Sequence, residues 1–204
     1  MYYYGVMSQL SASPLLRMTP YQPSTLFPIK AEFAALMLRG GLVAGAIALV
    51  SGTGSYTVMI EMLSVTSRAG FAIAFVGLHD LGVVALTQSG WDLTQVVLVD
   101  DGPEMSQAIA VLLAAFDVVV FDITVIDRHW HRLVARARER KSALVVIDQD
   151  CRRSPRQLAP DVTLIVEEFG WAQPTAECPF GAPAFHVAVQ EHGFRTDTPT
   201  VLAR

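Results

Sequence analysis

The stretch RGGLVAGAIALVSGTGSYT, residues 39–57, decides the fold. Gly40, Gly41 and Gly45 make a flexible approach, and Ala46–Val50 is a short unbroken apolar run, the pattern of a strand buried on both faces. The small-residue turn Ser51-Gly52-Thr53-Gly54-Ser55 then opens onto Tyr56–Arg68, which reads as a helix. A glycine-rich turn between a buried strand and a helix aims backbone N–H groups and a helix N-terminus at an anion, so it is where α/β proteins cradle phosphate. The charge that completes such a site is missing. The pattern G-x-x-x-x-G-K-[ST] is absent, and the chain's two lysines, Lys30 and Lys141, lie elsewhere.

Working outward, residues 72–76, 96–99, 118–121 and 143–147 are four further apolar runs, separated by helical patterns. The helix before the last of them, residues 127–141, is strongly basic. Strand–helix alternation at this spacing predicts right-handed βαβ units and a parallel sheet, hence an α/β fold. Beyond Asp148 the alternation stops. Residues 162–167 and 185–190 read as two more strands, expected at the sheet edge and antiparallel. Residues 1–28 carry Pro14, Pro20, Pro23 and Pro28 and read as a poorly ordered leader; residues 31–38 read as a short amphipathic helix. Residues 29–192 form the expected domain, and 193–204 a frayed tail.

Composition narrows the function classes. The 204 residues are 52% hydrophobic and 17% charged, which fits a globular chain able to bury a full core. A net charge of −4 gives no global attraction to nucleic acid or anionic lipid. Cys151 and Cys178 match no zinc or redox spacing. The apolar stretch 108–126 is interrupted by Asp117 and Asp122 and divides better into a helix end and a strand than into a membrane span. The N-terminus lacks a basic region followed by a long apolar core, so a cytoplasmic location is expected, with no membrane contact.

Candidate chemistry is sparse. Gly52, Thr53, Gly54, Ser55 and Thr57 form the phosphate-loop candidate, and its ordinary reading is a tight turn that needs glycine for positive φ. Asp122 ends a buried strand where a magnesium-binding aspartate would sit; its ordinary role there is to cap the next turn. His79-Asp80 reads as the cap of the following helix. No catalytic set, cofactor or metal site is expected. The basic segment is the stronger signal: nine of the fifteen Lys and Arg residues fall within 128–156. Arg128, Arg132, Arg136 and Arg140 recur every fourth residue, and Arg152, Arg153 and Arg156 follow the fifth strand. Such a face suits DNA phosphates or an acidic partner, and the scarcity of interleaved aromatics favours a protein. Phe169, Trp171, Phe180 and Phe185 in the irregular C-terminal part suit either a contact surface or packing over the sheet edge.

Taken in order, these patterns resemble the RecA-like ATPase superfamily over residues 36–150. Residues 39–52 look like the glycine-glycine-leucine approach and first strand of RecA, residues 71–82 like its second strand, and 116–122 like its Walker B strand, with Asp122 at the magnesium position. The resemblance implies a three-layer αβα domain with a mostly parallel sheet. The lysine-free loop, and Gly77-Leu78-His79-Asp80 where a catalytic glutamate is expected, depart from the pattern. A degenerate domain of this kind is most similar to the ImuA proteins, which act beside ImuB, an inactive Y-family polymerase, in damage-induced mutagenesis and translesion synthesis. That likeness implies a non-enzymatic accessory protein of the SOS DNA-repair response with an ImuB-like partner, DNA being a weaker candidate and self-association left open. A SulA-like division inhibitor and a weak RecA-like ATPase are the alternatives.

Overall fold

The computed structural model describes residues 26–100, 102–126, 128–151, 158–174, 182–191, 193–197 and 201–202. The chain enters as β1 (Leu26–Phe27), turns through the one-turn helix α1 (Ala31–Ala34) and returns as β2 (Leu42–Val43), antiparallel to β1. The alternating part follows: β3 (Ile47–Ser51), α2 (Ser55–Arg68), β4 (Ile73–Val76), α3 (Val83–Gln88), β5 (Val96–Val99), α4 (Met105–Leu112), β6 (Val118–Asp122), α5 (Trp130–Arg140) and β7 (Ala143–Asp148). It closes with β8 (Val162–Trp171), β9 (Pro183–Glu191), β10 (Phe194–Asp197) and β11 (Val201–Leu202).

The nine-stranded sheet has the order β10-β9-β8-β3-β7-β6-β4-β5, with β11 also on β9. All five expected parallel strands are present and lie side by side. Helices cover both faces, because each strand buries both sets of side chains. On β3, Ala48 and Val50 face a core built with α2 and α3, while Ile47 and Leu49 face a core built with α4 and α5.

The structure corrects the C-terminal reading. β8 is parallel, not antiparallel: it lies on the free side of β3, with Ala48 opposite Val162 and Ser51 opposite Ile165. Only thirteen residues, 149–161, link β7 to β8, and their sequence carries none of the helical periodicity that marks the other parallel crossovers. Only β9 runs antiparallel to β8. The segment expected to fray instead supplies β10 and β11, both on β9. At the other end, residues 26–28 belong to the domain: the Phe27 and Phe71 rings meet edge to face at 5.2 Å, and the Pro28 carbonyl accepts from the Thr66 hydroxyl at 2.6 Å. The remainder of the leader lies outside the described residues.

α2 is buried on almost every side, and its polar groups are matched accordingly. Glu61, 5% exposed, accepts from Lys30 Nζ at 2.6 Å and from the Ser89 hydroxyl at 2.8 Å. Ser67 accepts from the Asp92 amide and donates to the Asp92 carbonyl. A buried charge without such partners would cost several kcal/mol. These contacts tie the entering segment and the α3 crossover to one helix.

Val119, at the centre of β6, is 0% exposed. Val119→Asp places an unpaired charge there and should abolish cooperative folding, since the cost of several kcal/mol is comparable with a total stability of ~5–15 kcal/mol. Thermal unfolding followed by circular dichroism checks this; a wild-type transition would contradict the burial.

Candidate functional site

The turn between β3 and α2 is built from two left-handed glycines, Gly52 at φ 106° and Gly54 at φ 88°. Conformation is only half of the reason for glycine. A Cβ on Gly52 would lie 2.5 Å from the Val166 carbonyl oxygen, and one on Gly54 would enter the Phe169 ring. Both obstacles come from β8. Two amides of the turn are engaged within the protein: Gly52 N–H donates to the Asp148 carbonyl at 3.0 Å, and Ser55 N–H to the Gly52 carbonyl at 3.1 Å. Of the other candidates here, Thr53 is exposed and Thr57 half-buried, while the fully buried Ser55 hydroxyl has no partner among the described residues. The arrangement is a tight strand-to-helix turn under a packed aromatic ring.

Beside it, at the C-terminal ends of β4, β6 and β7, lies a cleft of about 350 Å³. Tyr56, His79, Asp80, Asp122, Asp148 and Asp150 line it, with no lysine or arginine among its described lining residues. Asp122 Oδ1 accepts from the Thr124 amide at 2.8 Å and its hydroxyl at 2.6 Å, capping the short turn Ile123–Val125. Capping is thus an observed role of Asp122. The reading of His79-Asp80 as a helix cap is corrected: α3 starts at Val83, its cap position is Gly82, and no side chain caps it. The two residues face the cleft instead.

The cleft is anionic, and Tyr56 registers it. Burial pushes the Tyr56 hydroxyl up to about 12, and the charges of Asp122 and Asp80 act in the same direction. The cleft therefore offers a phenolic donor and carboxylate acceptors, a combination that disfavours a second anion. No group of three or more His, Cys, Asp or Glu side chains among the described residues is arranged to hold a metal ion.

The arginines are not one exposed face. Arg128 precedes α5 and donates through Nε to His129 Nε2 at 3.2 Å. Arg132 and Arg140 are exposed on the helix, whereas Arg136 is half-buried, its Nε shielded and without a partner among the described residues. The helix packs through Leu133 and Ala137, and Arg136 is close enough to that face to be partly covered. Arg138 adds a cation the fourfold spacing missed, 3.5 Å from Asp161. Arg152, Arg153 and Arg156 lie outside the described residues. Among the aromatics, Phe185 is core, Phe169 packs on the glycine turn, Trp171 is exposed, and Phe180 lies outside the described residues.

A second cleft, of about 280 Å³, opens at the opposite end of the sheet between Arg39, Gly45, Arg138, Asp161 and Glu191. Sequence reading missed it because its charges are far apart in the chain. Its carboxylates are engaged: Asp161 accepts from the Ile47 amide and Glu191 from the Leu38 amide, both at 2.8 Å.

The Tyr56 environment has a measurable consequence. A hydroxyl that ionises near 10 unfolded and near 12 folded keeps its proton longer in the folded state, so its contribution is complete below pH 10 and is lost as pH rises towards 12. A difference titration at 295 nm, wild type minus Tyr56→Phe, should show a phenol ionising near the upper value. The Asp122→Asn and Asp80→Asn variants should each move it down.

Comparison with known proteins agrees with this geometry. The fold is RecA-like: the RadB recombinase crystal structure superposes with a TM-score of 0.59 over 84% of this chain and 91% of that one, at 18% identity. In sequence, the chain is 32% identical over 133 residues to the uncharacterized protein Rv3395c of Mycobacterium tuberculosis. That match takes in 60% of this chain and 65% of the relative, so it spans slightly less than two thirds of the relative's length. Residues 35–153, from just after α1 to just past β7, match the family model of the MT3502 N-terminal domain, and the chain belongs to that family.

Proposed function

We propose that this protein is a RecA-like accessory factor without ATPase chemistry, acting through protein contacts in the manner of ImuA proteins in damage-induced mutagenesis. One observation carries the reading. The cleft beside the glycine turn, where a RecA-like enzyme would hold triphosphate, is lined by Asp80, Asp122, Asp148 and Asp150, with no lysine or arginine among the described residues there. A phosphate-loop lysine supplies charge that both binds the β- and γ-phosphates and stabilises the transition state. Here Tyr56 stands next to the turn, and the surrounding carboxylates repel the ligand. Losing a charge-assisted contact alone costs ~1.5–3 kcal/mol of binding.

The resemblance to ImuA supplies the partner class, an inactive Y-family polymerase of the ImuB kind. The exposed arginines of α5 supply a surface for it, since a cationic helix on a net-acidic protein steers towards an acidic patch.

Two measurements test this. Titration calorimetry with ATP and magnesium should show no binding tighter than about millimolar, and a micromolar dissociation constant would favour a weak ATPase. A tagged chain recovered from DNA-damaged cells should bring down a polymerase; a division protein in its place would favour the SulA-like alternative. Arg132→Glu with Arg140→Glu should weaken that capture roughly tenfold or more, mainly through slower association. If the pair instead abolishes tight, salt-dependent DNA binding while capture survives, nucleic acid is the ligand of this face.

A further inference from the structure

The two edges of the sheet are finished differently. On one side, β9 is covered by the short strands β10 and β11, and Arg195 of β10 pairs with Glu167. Short charged strands are the usual protection of an edge. On the other side β5 is the last strand among the described residues. It reads Val96-Val97-Leu98-Val99, without charge, proline or bulge, in unbroken register with β4 from Ile73 opposite Val96 to Val76 opposite Val99.

The hydrogen bonding shows which groups face out. The Val99 carbonyl accepts from Gly77 N–H on the β4 side. Successive residues of a strand point their backbone groups to opposite edges, so Val97 shares the direction of Val99 while Val96 and Leu98 present N–H and C=O outward. Leu98 is 51% exposed, and the crossover leading into this strand carries three more exposed apolar side chains, Val83, Val84 and Leu93. Half of the eight exposed large hydrophobics of the described residues therefore fall between positions 83 and 98.

We propose that β5 is a self-association surface on which a second copy of this chain adds its own β5 antiparallel about a two-fold axis. Only one register uses both outward residues of each copy: Val96 against the partner copy's Leu98, and the reverse, with Val97 facing its twin on the axis. That register forms about four backbone hydrogen bonds. It also sets each exposed Leu98 directly over the partner copy's half-buried Val96 on the same face of the joined sheet. The strand is apolar at every position in either direction, so self-pairing meets no mismatch. Asp100, just past the strand, falls opposite Thr94, and the two copies of Asp100 end up roughly 20 Å apart, beyond the ~8 Å screening length. The exposed apolar side chains offer on the order of 350 Å² per copy, which with the strand backbone reaches the lower end of specific interfaces, about 1,200 Å² in total. A reversible dimer in the micromolar range is the expected strength.

The experiment uses the full chain with Cys151→Ser and Cys178→Ser. Sedimentation velocity should show concentration-dependent dimer formation, weakened at least roughly tenfold by Leu98→Lys with thermal unfolding unchanged. Under mild oxidation, Val97→Cys should cross-link to a dimer, because twin residues on the axis lie about 4.5–5.5 Å apart at Cα. Leu98→Cys should not, its twins lying more than ~7 Å apart. A chain that stays monomeric at about 100 μM overturns the proposal. So does equal cross-linking of the two cysteine variants, or a dimer that Leu98→Lys leaves intact.

Discussion

The backbone of β8 passes so close to the turn between β3 and α2 that glycine is required there twice, and the rest of the molecule is arranged around that approach. Val166 closes over Gly52 and the Phe169 ring over Gly54. Because β8 pairs with β3 in parallel, β3 becomes an interior strand with all five residues buried. The same turn fixes where α2 begins, and α2 in turn holds the entering segment through Lys30 and the α3 crossover through Ser89. Two glycines in a strand-to-helix turn thus have a packing requirement here, independent of any phosphate.

That double meaning explains what was legible in the sequence. The five parallel strands were readable because each is a short apolar run followed by a helical period, and a strand buried on both faces leaves no other pattern. Asp122 was readable as a cap because a short acidic side chain after a buried strand has few other local partners. The direction of β8 was hidden because an apolar run reads the same either way, and the sequence of its return connection, residues 149–161, shows no helical periodicity. The spacing of the arginines was plain, but helix α5 starts at Trp130 rather than near residue 127, which left Arg128 off the helix; Arg136 is half-covered. The acidic cleft was legible only in part: Asp122 and His79-Asp80 stand out one by one, but not Asp148 or Asp150, nor the meeting of all four carboxylates. Asp80, Asp122, Asp148 and Asp150 end or follow three different strands and meet only once those strands are in sheet order.

Charge is segregated along the fold. Carboxylates gather at the C-terminal ends of the strands, while arginines run along α5, which links the end of β6 to the start of β7. With a net charge of only −4, the molecule carries more local field than its total suggests. Such an arrangement orients an approaching partner before contact, and its reach is limited to about a screening length of ~8–10 Å in physiological salt.

The position of β3 also has a consequence for the order in which the chain is made. Its two sheet neighbours, β7 and β8, start at Ala143 and Val162, roughly a hundred residues later. At ~5–20 residues per second, the central strand leaves the ribosome on the order of ten seconds before either flank exists to cover it. Two exposed edges of an apolar strand over that interval make the nascent chain a natural client for chaperones that shield extended segments. The final core forms only when distant parts of the chain are brought together, a topology associated with slow folding. The matched family region stops at residue 153, so it includes the first of those flanks, β7, and ends before the second, β8, begins at Val162.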